Sequence, residues 1–316
     1  MSNPFRVTGA VLALGVLVAA CGGSGSTPAP TKAPATGAAA TPAAPSSAAG
    51  SPAASAMNLP VADCQSGSII AGGSTAMQPV VESAAESYTA GCAGGTVTVQ
   101  GGGSGTGLTQ VSAGAFQIGN SDVDAFSKLA TPDASALVDH QVLKQGWIMV
   151  ANTDVTGVPS LTSQQATDIW TGKTLNWKDV GGPDLPIVLI IRPESSGTRA
   201  TFKKIVLGGA TEASGQALTE DSNGAVTQAV TSTPGATSVI GFPYYQQAKS
   251  TLTGFQLDGV DATTANMANG TYKLQAVGHM YTKGEATGLT KSFIDFMLSD
   301  GVQNTLLPSL FYAPVQ

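Results

Sequence analysis

The sequence predicts an α/β fold, on three observations. Short apolar runs lead repeatedly into Gly/Ser/Thr loops, and each loop opens a helical pattern; QGGGSGTG (100–107) and IIRPESSGTRATF (190–202) show this most clearly. Strand-like and helix-like periods alternate along the chain, the order expected of a sheet covered by helices. At 316 residues the chain is too long for one small core and suits two domains. Such loops place backbone N–H groups and hydroxyls at the positive end of a helix, a ready anion site. The chain has three, with Arg192 beside one and Asp122 closing the set.

The first element is a targeting segment. Arg6 precedes an apolar run, residues 7–20, that is too short to span a bilayer comfortably. Leu17-Val18-Ala19-Ala20-Cys21-Gly22 resembles a bacterial lipobox, in which cleavage precedes the cysteine and that cysteine is lipidated. Residues 1–20 are therefore expected to be a signal peptide, and Cys21 the lipidated residue that anchors the chain outside the cell membrane. An ordinary signal peptide with a chance cysteine is the alternative. After Cys21 the chain is almost entirely Gly, Ser, Thr, Ala and Pro to residue 57. With no amphipathic period and little to bury, residues 21–57 are expected to be a disordered stalk, and the folded chain to start near Asn58.

A strand over 68–71 and a helix over about 75–90 follow. Thr75 and Gln78 fit a capping box, Pro79 suits a first turn, and Met77, Val80, Ala84 and Tyr88 recur at helical spacing. Strands are expected at 96–100, 116–118, 146–152 and 187–192, and helices at 162–170, 198–207 and 292–298. In open α/β sheets ligands sit at the carboxyl ends of strands, where all these Gly/Ser/Thr loops lie. Cys64 and Cys92 bracket the first strand and helix. In an exported protein they are expected to form a disulfide worth about 3–4 kcal/mol by loop entropy, with two free thiols as the alternative.

Composition excludes several function classes. Only 11% of residues are charged and the net charge is −6, so no basic patch for nucleic acid is available. Lys203-Lys204 lies in a helical pattern and reads as a solvated face. Any anion must be held by local dipoles rather than by net charge. His140 and His279 have no partner spacing for zinc and no claim to a catalytic triad, so both read as structural and no metal or cofactor is expected. Thr171-Gly172-Lys173-Thr174 looks like the end of a P-loop, but Thr167 stands where that motif needs glycine.

Eight stretches together carry a family resemblance: AGGSTAMQPVVE (71–82), VTVQGGGSGTGL (97–108), IGNSDVD (118–124), IWTGKTLNWKDVGG (169–182), IIRPESSGTRATF (190–202), SNGAVTQAVTSTPGATSVIGF (222–242), NGTYKLQAVGHMYTKG (269–284) and SFIDFMLSDGVQ (292–303). In this order the chain resembles the PstS family, the phosphate-binding proteins of bacterial high-affinity phosphate ABC transporters. The resemblance implies a two-lobed, type II periplasmic-binding-protein-like fold with a cleft between the lobes. Lobe I would take residues 58–147 and 274–316, and lobe II residues 148–273, with the strands near 146–152 and 274–280 as the two crossings. It implies capture of inorganic phosphate by hinge closure and delivery to ABC permease subunits, by a monomer without catalytic activity. A phosphatase, or an extracellular adhesin or sensor on the same fold, is the alternative.

The resemblance also implies a ligand set. Thr75 matches the threonine of the first loop, Ala76 the position that donates a backbone N–H, and Ser104 the second-loop serine. Asp122 matches the aspartate after the third strand, Arg192 the arginine, and Ser196, Gly197 and Thr198 the helix-capping SGT. Ala76 departs from members with an aromatic residue there. The chemistry agrees: four hydroxyls can donate, Arg192 supplies a planar fork, and Glu194 two residues on lies on the same side if the strand continues, where it could hold the guanidinium in place. Arg192 in a surface ion pair with Glu194 is the alternative. An ionised Asp122 only accepts, so it favours an anion that carries its own proton and rejects fully ionised sulfate by up to about 10⁴–10⁵-fold. A turn cap in Asn120-Ser121-Asp122 is the alternative for that residue.

Overall fold

The computed structural model describes residues 56–213 and 217–315. The expected signal peptide, Cys21 and nearly all of the expected stalk lie outside the described residues. No helix among the described residues is long and apolar enough to cross a membrane. Met57, read as the end of the stalk, already belongs to the fold. Its N–H donates to Ser87 Oγ at 2.9 Å and its side chain packs against a buried cluster.

The chain opens with β1 (Gly67–Gly73), α1 (Gln78–Gly91), β2 (Gly95–Gln100), α2 (Ser104–Ser112) and β3 (Ile118–Ser121). A short α3 (Thr131–Ser135) leads into β4 (Leu137–Asn152). Then come β5 (Ser160–Leu161), α4 (Ser163–Trp170), β6 (Val188–Ile191), α5 (Gly197–Ile205), β7 (Leu218–Thr219), α6 (Asn223–Ser232), β8 (Ala236–Gly241) and α7 (Phe242–Ala248). β9 (Leu252–Gly254), β10 (Gln256–Leu257), α8 (Thr264–Ala268), β11 (Gln275–Lys283) and α9 (Gly288–Met297) follow. One hydrogen-bonded path runs β2-β1-β3-β11-β4-β8-β6-β7, with β9 also on β4. Its two ends are parallel, β2-β1-β3 and β8-β6-β7, and the middle is antiparallel through β11 and β4.

β4 explains how the path joins two cores. Its first part, Leu137–Gly146, pairs with β11, and its last part, from Trp147 to Ala151, pairs with β8. Leu143, Met77, Tyr88, Phe293 and Phe296 belong to one buried cluster, while Trp147, Trp170, Phe202 and Phe242 belong to another. The partner change falls between Gly146 and Trp147, where a Cβ on Gly146 would meet Met267 Sδ at 2.3 Å. The chain returns alongside, with Trp147 N–H donating to Leu274 O at 3.0 Å.

Three local expectations are corrected. The strand expected at 146–152 begins at Leu137, because its polar first half is a half-exposed strand stabilised by pairing along β11. The strand expected at 116–118 runs from Ile118 instead; Phe116 N–H closes the turn after α2, on Gln110 O. Thr75 does not cap α1. Ser74 Oγ accepts from the N–H groups of Ala76 (3.1 Å) and Met77 (3.2 Å), and the helix begins at Gln78. α4 does carry a capping box, from Thr162 and Gln165, in a helix expected at 162–170. Cys64 and Cys92 form a disulfide, Cα–Cα 5.3 Å, that ties the segment before β1 to the end of α1.

Candidate functional site

The loops after β1, β2, β3 and β6 meet at one buried point. Thr75, Ser104, Asp122, Arg192, Ser196 and Thr198 are each at most 4% exposed, although all six sit in loops or at helix starts. Gly103 has φ 86° and Gly102 φ 115°, so the second loop takes a path that favours glycine before Ser104 opens α2. Ser196 precedes α5 in extended conformation, as a helix N-cap should.

The loops are in direct contact across the site. Gly105 N–H donates to Ser195 O at 2.8 Å, Lys128 Nζ to Glu194 O at 2.6 Å, and Tyr244 Oη to Thr75 O at 2.9 Å. A Cβ on Gly197 would stand 2.1 Å from Ser104 Oγ and 2.7 Å from Asp122 Oδ2. Only a glycine allows this approach between the first turn of α5 and the Asp122 carboxylate.

The hydroxyls share one polarity. Ser104 Oγ accepts from Asp122 N–H (2.9 Å), Ser196 Oγ from Arg199 N–H (3.1 Å) and Thr198 Oγ1 from Trp147 Nε1 (3.0 Å). Thr75 Oγ1 accepts from Asn223 Nδ2 at 2.9 Å, and Asn223 N and Arg192 Nη2 lie beyond it at 3.3 and 3.4 Å. Each of these partners is an N–H group, which only donates. Each hydroxyl thus has its acceptor side engaged and its proton left to donate. The first-turn N–H groups of Gly197 and Thr198 precede the internal bonds of α5 and add aligned donors. Ala76 N–H is directed at Ser74 Oγ.

Arg192 is buried, and burial lowers its pKa to about 10, which leaves it charged at neutral pH. Nη2 donates to Asp221 O at 2.8 Å, while Nε and Nη1 are buried without a partner. Leaving two guanidinium nitrogens so placed is costly unless an anion completes them. The expectation that Glu194 steadies Arg192 is corrected. The exposed Glu194 carboxylate pairs with Arg199 Nη1 at 2.9 Å; the strand ends at Ile191, before Arg192, so the two side chains do not share a strand face.

Asp122 is the acceptor among these donors. Burial raises its pKa; hydrogen bonds from Ser74 and Gln145, and the charges of Arg192 and His279, act in the other direction. Sequence reading missed Ser74, Gln145, Trp147 and Asn223, all buried and all bonded to the expected residues. Asn223 sits in SNGAV, one of the quoted stretches, with Ser222 capping α6 before it; that loop-to-helix pattern was the available signal. His279 bonds to Asp139 and His140 to Thr282, away from these hydroxyls.

Comparisons with known proteins agree with this geometry. The family described as PBP superfamily domain matches residues 36–301. The phosphate-binding protein PstS of Bacillus subtilis is 47% identical over 250 residues, covering 79% of this chain and 81% of its own. PstS of Borreliella burgdorferi is 30% identical over 159 residues, covering 46% and 56%. Among solved structures, a Clostridium perfringens protein described as a phosphate ABC transporter substrate-binding protein with bound phosphate aligns with TM-score 0.73 and 30% identity, over 79% of this chain and all of its own. An ABC-type phosphate transport receptor from Vibrio cholerae aligns with TM-score 0.63 and 27% identity, over 78% of this chain and all of its own. By the extent of the superfamily match and the near-half identity to a PstS along most of both chains, this protein belongs to the PstS family.

Proposed function

We propose that this protein captures inorganic phosphate outside the cytoplasm and delivers it to an ABC permease. One observation carries the reading: four hydroxyls with free protons, a buried guanidinium with two unpartnered nitrogens and a helix start all converge beside one carboxylate. Tetrahedral phosphate needs many donors to replace its water, and near neutral pH it keeps a P–OH for which Asp122 Oδ2 is the acceptor. The relatives named for phosphate binding and the neighbour solved with bound phosphate support the same ligand.

Thr75, Ser104, Asp122, Arg192, Ser196, Gly197 and Thr198 form the proposed ligand set, with Ala76 N–H joining by turning from Ser74. Residues 58–146 with 275–316 form one lobe and 147–274 the other, a one-residue shift from the expected bounds that keeps Trp147 and Leu274 with the core they pack in. β4 and the chain at Leu274–Gln275 serve as the crossings that bend on closure. The bonds from Gly105 to Ser195 and from Tyr244 to Thr75 support a closed arrangement. Lipid on Cys21 would tether a monomer to the outer face of the membrane, with the stalk giving it reach.

No catalysis is proposed. The hydroxyls are engaged by N–H donors rather than by a base, which makes them hydrogen-bond donors and poor nucleophiles. Equilibrium titration with phosphate and with sulfate, beside a p-nitrophenyl phosphate assay, tests the reading. Phosphate binding with strong preference over sulfate and no phosphoester cleavage is expected; turnover of the ester would favour the phosphatase alternative.

A further inference from the structure

Two side chains converge on a single oxygen of Asp122. Ser74 Oγ donates to Oδ1, and Gln145 Nε2 donates to the same atom at 2.9 Å. Both residues are buried, at 1% and 2% exposure. The sense of the Ser74 bond is fixed by its other partners. Its oxygen accepts the N–H groups of Ala76 and Met77 at the entry to α1, so its proton goes to Asp122. Gln145 sits in β4 and presents its amide nitrogen. The opposite orientation would set an amide oxygen against a carboxylate oxygen.

The carboxylate is therefore asymmetric. A proton on Oδ1 would meet the Ser74 hydroxyl proton and the Gln145 amide, so Oδ1 stays an acceptor. Oδ2 is on the side facing Gly197, at the start of α5. Arg192 after β6, His279 on β11 and Lys128 in the segment after β3 act on Asp122 from other elements, their charges favouring its ionised form against burial, and the buried Tyr312 phenol also faces it.

We propose that Ser74 and Gln145 are specificity-determining positioning residues: by occupying Oδ1 they hold Asp122 as a pure acceptor through Oδ2, so the site selects an oxyanion that brings its own proton. The inference rests on the phosphate reading above. Without these two donors Asp122 takes up a proton more readily as pH falls. Its Oδ2 then donates, and a fully ionised tetrahedral anion such as sulfate fits as well as phosphate does. Selectivity is lost from the acid side first.

Phosphate and sulfate are titrated into wild type, Ser74→Ala and Gln145→Met at about pH 5 and about pH 8, at fixed ionic strength. In both variants the ratio of sulfate to phosphate dissociation constants should fall at least about tenfold at the lower pH, and by less at the higher. A purely structural role would weaken both anions together and leave the ratio unchanged at each pH; that result overturns the inference. Should Gln145→Met fail to fold, Ser74→Ala, which deletes one oxygen, decides alone. A wild type that binds no phosphate overturns the underlying reading instead, so the two failures are distinguishable.

Discussion

Asp122 is a carboxylate among groups that otherwise donate, and its neighbours define what it does. Asp122→Asn replaces the acceptor at Oδ2 with an amide that can turn to donate. The sulfate-to-phosphate ratio of dissociation constants should fall by at least about tenfold, since a repulsive buried contact is worth more than about 1.4 kcal/mol. The substitution also changes ligand-free stability. Burial raises the folded-state pKa of Asp122, so its contribution to stability is fully present below the ordinary carboxylate range and is lost as pH rises through the raised value. Ligand-free Asp122→Asn should therefore melt higher than wild type at about pH 7, with the difference shrinking toward about pH 4. A melting difference that grows on acidification would contradict this assignment. At this scale the sequence was partly legible. Asp122, Arg192 and the four hydroxyls stand in recognisable loops, but Ser74, Gln145 and Asn223 act through contacts between residues far apart in the chain, as when Gln145 reaches Asp122. Glu194 does not steady Arg192 because the condition for a shared face is not met: the strand stops at Ile191, before either residue.

At the scale of elements, the start of α5 meets the loops after β2 and β3 with no space for a side chain. Gly197→Ala should raise the phosphate dissociation constant by at least about tenfold, because its Cβ would overlap Ser104 Oγ and Asp122 Oδ2 in the closed arrangement. The helix itself favours alanine by up to about 1 kcal/mol, so the ligand-free melting temperature should hold or rise. Loss of stability together with affinity would place the glycine's role in folding rather than in closure. The disulfide gives the opposite pattern. Cys64→Ser with Cys92→Ser should lower stability by about 3 kcal/mol through loop entropy, measured by denaturant unfolding, and leave phosphate affinity unchanged. Elements with strong apolar periods, such as α1 and α4, were legible to within a few residues. The first half of β4 was not, since Asp139, His140, Gln141 and Lys144 give it a polar look that only pairing with β11 overrides.

At the scale of the whole molecule, the two cores meet along β4 and the return of the chain at Leu274–Gln275, and the loops that would trap the ligand close over each other. If β4 bends near Gly146, small-angle scattering should show a smaller radius of gyration with phosphate than without it, and no change with sulfate. An identical radius in all three conditions would argue against hinge closure. The architecture was legible because the chain alternates strands, Gly/Ser/Thr loops and helices; the partner change within β4 was not, because it depends on which strands lie beside it. The proposed phosphate site is the cleft around Arg192 and Asp122. Calorimetric titration of phosphate into wild type and Arg192→Ala, at neutral pH and fixed ionic strength, tests it most directly. Wild type should bind one phosphate per chain, and the variant should weaken binding by about 100-fold or more, since truncation leaves a buried dianion without its fork. Arg192→Ala binding phosphate within about twofold of wild type would place the anion site elsewhere.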